Sequence, residues 1–183
     1  MIKLASGKLL RFSILLCILL ASCATVGEHA PPANYDATVA KWTSYKDVYN
    51  WLEMNFVYDF ARSGLRIAPM SPAEMFKLKK GACYDSANFA IETLNRINHE
   101  YKARSVFIKN SKGGSNHWVT AFMMDGKLFI MDYGTSNGWG FMRGIHGSYK
   151  SLSEYERFLS SLPISNFSPA YVEYREFHKE KKY

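Results

Sequence analysis

The hydrophobic period of the chain changes once, near Tyr101, and that change limits the possible folds more than any other feature of the sequence. Before it, apolar residues recur at helical spacing, first as Val48, Trp51, Leu52 and Phe56, then as Ala87, Ala90, Ile91, Leu94 and Ile97. After it, Ser105–Lys109, His117–Met124 and Lys127–Tyr133 are rich in β-branched and aromatic residues, and Asp125-Gly126 between the last two is a tight hairpin signal. Helices followed by an antiparallel sheet make an α+β plan. Ser44 with Asp47, Ser71 with Pro72 and Glu74, and Ser151 with Glu154 supply helix starts. Gly81 is expected to end the short second helix and Pro163 the last one, and Tyr171–Phe177 reads as a final strand.

The N-terminus reads as an address rather than as part of the fold. Met1–Arg11 is cationic, and the apolar run Phe12–Leu20 is too short to span a bilayer, so 1–22 is expected to be a signal peptide. Leu20-Ala21-Ser22-Cys23 resembles the lipobox of bacterial lipoproteins, which implies a mature chain beginning at a lipidated Cys23. The plainer alternative is an ordinary signal peptide with a nearby cleavage site. Residues 23–34, with Pro31-Pro32, have the composition of a tether, leaving 35–183 as one domain. Ala24 lacks the aspartate associated with inner-membrane retention, so outer-membrane anchoring facing the periplasm is expected. The net charge of +7 includes Lys3, Lys8 and Arg11; taking these three from 23 cations leaves 20 against 16 acids, a net +4. That mild excess forms no basic stripe, and nucleic acid is excluded as a partner. The expected membrane contact is through lipid on Cys23, and the domain is expected to be a monomer.

Of three cysteines, Cys17 would leave with the signal and Cys23 would carry lipid, so the domain keeps only Cys83 and has no internal disulfide. A lone thiol in an oxidising compartment is either a buried inert side chain or a reactive one. Cys83 follows Gly81-Ala82 at a predicted helix start, where free N–H groups and the helix dipole favour a thiolate. Partners for it follow from the hairpin. If Asp125-Gly126 is the turn, Met124 opposes Lys127, and counting back sets Val119 opposite Asp132. His117 then shares a face with Asp132 as a diagonal pair, ~7–8 Å apart between backbones. A carboxylate that holds one imidazole nitrogen leaves the other to take a thiol proton, so Cys83, His117 and Asp132 suit nucleophile, base and orienting group. For this, the helix packed on that face has to present Cys83 to His117. The same trio as a zinc site lacks any close-spaced ligand pair, and no cofactor is expected.

The run from Tyr49 to Asp132 resembles the transglutaminase-like cysteine peptidase superfamily, in NWLEMNFVYDF, SPAEMFKLKKGACYDSANFAIETLNR, RSVFIKNSKGGSNHWVTAF and KLFIMDYG. The resemblance implies a papain-like core in which the cysteine opens a helix packed on an antiparallel sheet bearing His and Asp. It also implies acyl transfer through a thioester, with Cys83, His117 and Asp132 as the catalytic residues. Here His117 and Trp118 are adjacent, and Tyr133-Gly134 follows Asp132 where family members commonly have proline-threonine. Tyr58 and Trp51 are candidates for a second oxyanion donor, although such aromatics are more often core, and Trp118 and Trp139 are candidates for the walls of a substrate groove. The expected substrates are peptides, proteins or peptidoglycan stem peptides. Two other readings share the fold: a non-catalytic envelope module binding peptide or glycan, and an acyl-transferring cross-linker. A papain-like wall peptidase would differ in its third residue. His29, His99, His146 and His178, and the run Lys77, Lys79, Lys80, read as solvated.

Overall fold

The computed structural model describes residues 34–65, 67–134 and 139–177. The signal, lipidation and most of the tether assignments, with His29 and His178, lie outside the described residues. Two short helices open the domain, α1 (Tyr35–Val39) and α2 (Tyr45–Asn55). Ser44 and Asp47 form the expected capping box on α2, while α1, capped by Asn34, was not foreseen because five residues carry no readable period. Strand β1 (Val57–Tyr58) pairs in parallel with β2 (Lys80–Gly81) across helix α3 (Pro72–Leu78). Gly81 does not end α3: Lys79 does so in a left-handed conformation, φ 55°, and Gly81 already belongs to β2. Helix α4 (Cys83–Ile97) follows at once.

The remaining strands, β3 (Arg104–Asn110), β4 (His117–Met124), β5 (Lys127–Asp132), β6 (Gly144–Tyr149) and β7 (Pro169–Tyr174), form one antiparallel sheet in the order β6-β5-β4-β3-β7. The hairpin is as predicted, with Met124 opposite Lys127, and Asp125 and Gly126 both at positive φ. Strand β6 carries no sequence signal, because Gly144, His146 and Gly147 interrupt its apolar alternation, and His146, expected to be solvated, lies within it. Its ring instead bonds the Met142 carbonyl at 2.6 Å. Helix α5 (Leu152–Ser161) lies between β6 and β7 in the chain and is capped by Ser151.

The sheet buries both faces. On one, Phe122 and Met131 join Val48, Leu52, Phe89 and Leu94 of α2 and α4. On the other, Val106, Val119, Ala121 and Ile130 pack on Tyr155 and Leu159 of α5. Burying a side chain such as Leu94 or Phe122 contributes about 1.5–3 kcal/mol, so neither face holds without its helices. Among the described residues, no helix is long and apolar enough to cross a membrane.

Candidate active site

Cys83 is the first residue of α4, and its N–H is among those that a helix start leaves without an intrahelical partner. The turn that presents it is held by Asp85, fully buried at the third helical position. Asp85 accepts hydrogen bonds from the backbone N–H of Ala82 at 2.8 Å and of Met70 at 2.8 Å, and pairs with Arg62 Nε at 2.7 Å. Arg62 also donates to the Ala68 carbonyl, and Tyr84 Oη donates to the Arg62 carbonyl. One carboxylate thereby ties Arg62 and Met70 to the turn before Cys83. The sequence shows Asp85 as an ordinary cap; its pairing with Arg62, 23 residues away, has no local signal.

His117 opens β4 and Asp132 closes β5, so both sit at the same end of the sheet. The register sets Thr120 opposite Met131, hence Val119 opposite Asp132, and the expected diagonal pair forms: His117 Nε2 lies 2.8 Å from Asp132 Oδ2. The face differs from expectation. Thr120, three residues from His117 and therefore on the opposite face, donates to the Ala87 carbonyl of α4, while Val119, on the His117 face, packs with α5. Helix α4 is thus not on the face that bears His117. Its first residue instead meets the end of the sheet, where Gly134 passes so close that a Cβ there would lie 2.1 Å from Cys83 Cα.

Burial of the imidazole works against its protonation, but the Asp132 charge and hydrogen bond, reinforced by the Cys83 thiol beside the ring, outweigh it and push the His117 pKa up to about 10. Asp132 is fully buried, and the same Oδ2 accepts a second hydrogen bond from Trp139 Nε1 at 2.8 Å. Trp139 also meets the His117 ring edge-on, centroids 5.5 Å apart. Its side chain fixes the carboxylate and, with His117, lines a cavity of ≈ 470 Å³. Trp118 lines a second cavity, of ≈ 490 Å³, which holds Cys83. Tyr58 packs in the Cys83 cluster with its hydroxyl bonded to Ser63 Oγ at 2.8 Å. Trp51 is not at the site: it is stacked between Phe76 and Phe89, centroids 4.9 and 4.6 Å away, in the α2–α4 core, because its helical spacing points it inward. A larger cavity, ≈ 600 Å³ between α4 and β7, holds none of the three central residues. Lys80 pairs with Asp59 at 3.6 Å, His99 is exposed, and among the described residues no cluster of three His, Cys, Asp or Glu side chains is arranged to hold a metal ion.

Such a site can form a covalent bond to carbon through sulfur and move one proton through one ring. A family model described as a transglutaminase-like domain matches residues 35–137. No curated protein sequence matches the chain. Among solved structures, LapG of Legionella pneumophila is similar at 16% identity and TM-score 0.46, over 78% of this chain and 73% of LapG. Its EGTA-treated form aligns at 16% identity and TM-score 0.42, over 70% and 61% of the two chains. The calcium-bound form aligns at 17% and 0.42, over 69% and 62%.

Proposed function

The chain belongs to the transglutaminase-like domain family, and on that premise we propose that it is a cysteine hydrolase that cleaves amide or isopeptide bonds through a thioester on Cys83. The observation that carries this reading is the partly buried 2.8 Å bond between His117 Nε2 and Asp132 Oδ2, which leaves Nδ1 for the thiol. With His117 already protonated beside Asp132, Cys83 Sγ attacks the carbonyl carbon as the thiolate. The oxyanion is received by the free N–H of Cys83, with the Tyr58 hydroxyl as second donor. His117 then gives its proton to the amine nitrogen, the C–N bond breaks, and the acyl group stays on sulfur. Water, deprotonated by His117, attacks the thioester, the C–S bond breaks, the acid leaves, and the pair returns to thiolate and imidazolium. Asp132, held by Trp139, keeps the ring aligned throughout.

The same proposal includes lipid anchoring through Cys23 at the periplasmic side of the outer membrane, and peptide, protein or stem-peptide substrates reached there. Its support is the Leu20–Cys23 motif after a cationic and apolar leader. The mass of the mature N-terminal peptide tests it: an acylated Cys23 supports anchoring, and an unmodified N-terminus elsewhere refutes it. The catalytic reading is tested with quenched fluorescent peptide libraries, where Cys83→Ala and His117→Ala each lower turnover by about 10³-fold or more. Turnover that survives either substitution refutes the mechanism.

A further inference from the structure

The two cavities beside the nucleophile are arms of one groove, because Ser63, Gly114, Ser115 and Asn116 line both. Their chemistry differs. The arm that contains His117 is lined by amides, hydroxyls and aromatics, among them Asn110, Ser165, Asn166 and Trp139, with no charged side chain other than His117 among the described residues. The arm that contains Cys83 has an aromatic floor, Phe107 against Trp118 at 4.9 Å and Trp118 against Phe177 at 4.8 Å, and two cations, Lys109 and Arg175. Arg175 is already occupied: it stacks over Phe107 at 3.9 Å and its Nε donates to Glu173 at 2.6 Å. Lys109 makes no ion pair among the described residues, and no acidic side chain among them lines this arm. It does not serve as an edge-strand guard, since β3 lies inside the sheet between β4 and β7.

The order of bond breaking assigns the arms. His117 protonates the departing amine, so the leaving half lies on the His117 side, and the half that stays bonded to sulfur lies with Cys83 and Lys109. Resting on the hydrolase reading, we propose that this chain selects amides whose acyl half carries a free carboxylate close to the scissile carbonyl, received by Lys109 above the aromatic floor. That carboxylate is either an Asp or Glu side chain or the α-carboxylate of an isopeptide-linked glutamyl residue. Half-burial of Lys109 beside aromatic rings lowers the local dielectric and strengthens the pairing over that of an open surface.

The test uses the full chain and three peptidyl fluoromethyl ketones, in which Cys83 sulfur displaces fluoride and only the acyl side is presented. One carries Glu at the ketone-bearing residue, one carries Gln, and one places the ketone on the γ-carbon of a glutamyl unit with its α-carboxylate free. Labelling rates are read by mass spectrometry on the peptide that holds Cys83. The carboxylate probes are expected to label about three- to tenfold faster than the Gln probe, and the faster of the two identifies the source of the carboxylate. That ratio falls to about one or below in Lys109→Glu, and in the unsubstituted protein it falls as salt rises from about 50 to about 500 mM, a readout that needs no variant. Equal rates for Glu and Gln probes, or a ratio indifferent to both Lys109→Glu and salt, overturn the proposal. Labelling that is the same with and without His117 overturns the hydrolase reading as well, whereas labelling that needs His117 but ignores the carboxylate overturns this proposal alone.

Discussion

At the scale of the residue, the site depends on how one buried carboxylate is shared. Asp132 Oδ2 accepts from both His117 Nε2 and Trp139 Nε1, and its charge holds a proton on the ring up to about 10 despite burial. A raised folded-state value means that the protonated ring favours the folded chain. Its stabilising contribution is therefore complete below the unfolded value of about 6.5 and is lost as pH rises through about 10. Thermal melts are expected to decline across that window more steeply in the unsubstituted chain than in Asp132→Asn, which lacks the charge that raises the ring. Equal slopes would show that the pair does not form. The proposed chemistry separates from the stability: if the chain cleaves amides as proposed, cleavage needs imidazolium to protonate the amine and is expected to fall above about pH 10, whereas thiol alkylation has no such requirement. Trp139→Phe keeps the ring and removes its donor to a buried charge, a loss of about 1.5–3 kcal/mol in unfolding free energy. Alkylation of Cys83 is expected to slow in that variant as His117 loses alignment, and an unchanged rate would reduce Trp139 to packing.

At the scale of the element, three chain segments converge on the thiol. The turn before α4 is organised by Asp85, which ties Ala82, Met70 and Arg62 together. Arg62→Ala leaves that carboxylate buried with only its two backbone donors and is expected to cost about 1.5–3 kcal/mol, measurable by denaturant titration. The end of β5 is limited by Gly134, whose missing side chain lets the backbone pass Cys83; an added Cβ would sit 2.4 Å from Cys83 Cβ. None of the three Cys83 atoms it meets is the flexible end of a side chain, so Gly134→Ala is expected to displace the start of α4. Loss of rapid Cys83 alkylation with a drop in stability of about 1–3 kcal/mol checks this, and native-like reactivity would mean that the turn can move aside. The C-terminal strand ends at Tyr174, short of the expected Phe177, yet the chain continues along the sheet through the Arg175 N–H to the Ser105 carbonyl and brings Phe177 onto Trp118.

At the scale of the whole domain, a five-stranded sheet separates two cores and presents one end to Cys83. The inner strands carry their buried residues consecutively, Val119–Phe122 in β4 and Ile130–Asp132 in β5, whereas β6 and β7 are half-exposed. Amide exchange is expected to be slowest at Val119–Phe122 and Ile130–Met131 and faster in both outer strands. Faster exchange in β4 than in β7 would contradict the arrangement. The site is then fixed to the part of the domain expected to exchange slowest through His117 and Asp132, while the groove is walled in part by residues 63–65, 67, 69 and 114–116.

Much of this was legible along the chain because it is local. Hydrophobic period set the helices α2 and α4 and the strands β3, β4 and β5, and turn chemistry at Asp125-Gly126 set the register that pairs His117 with Asp132. What is short or irregular was not legible: α1 and β1 have too few residues for a period, and β6 hides its alternation behind glycines. Three matters were decided only in three dimensions: which sheet face α4 covers, that Trp139 is the second donor to Asp132 Oδ2, and that Lys109 lines the groove beside Cys83. Each depends on contacts between segments far apart in sequence, and a one-dimensional pattern records which side of an element is buried but not what it is buried against.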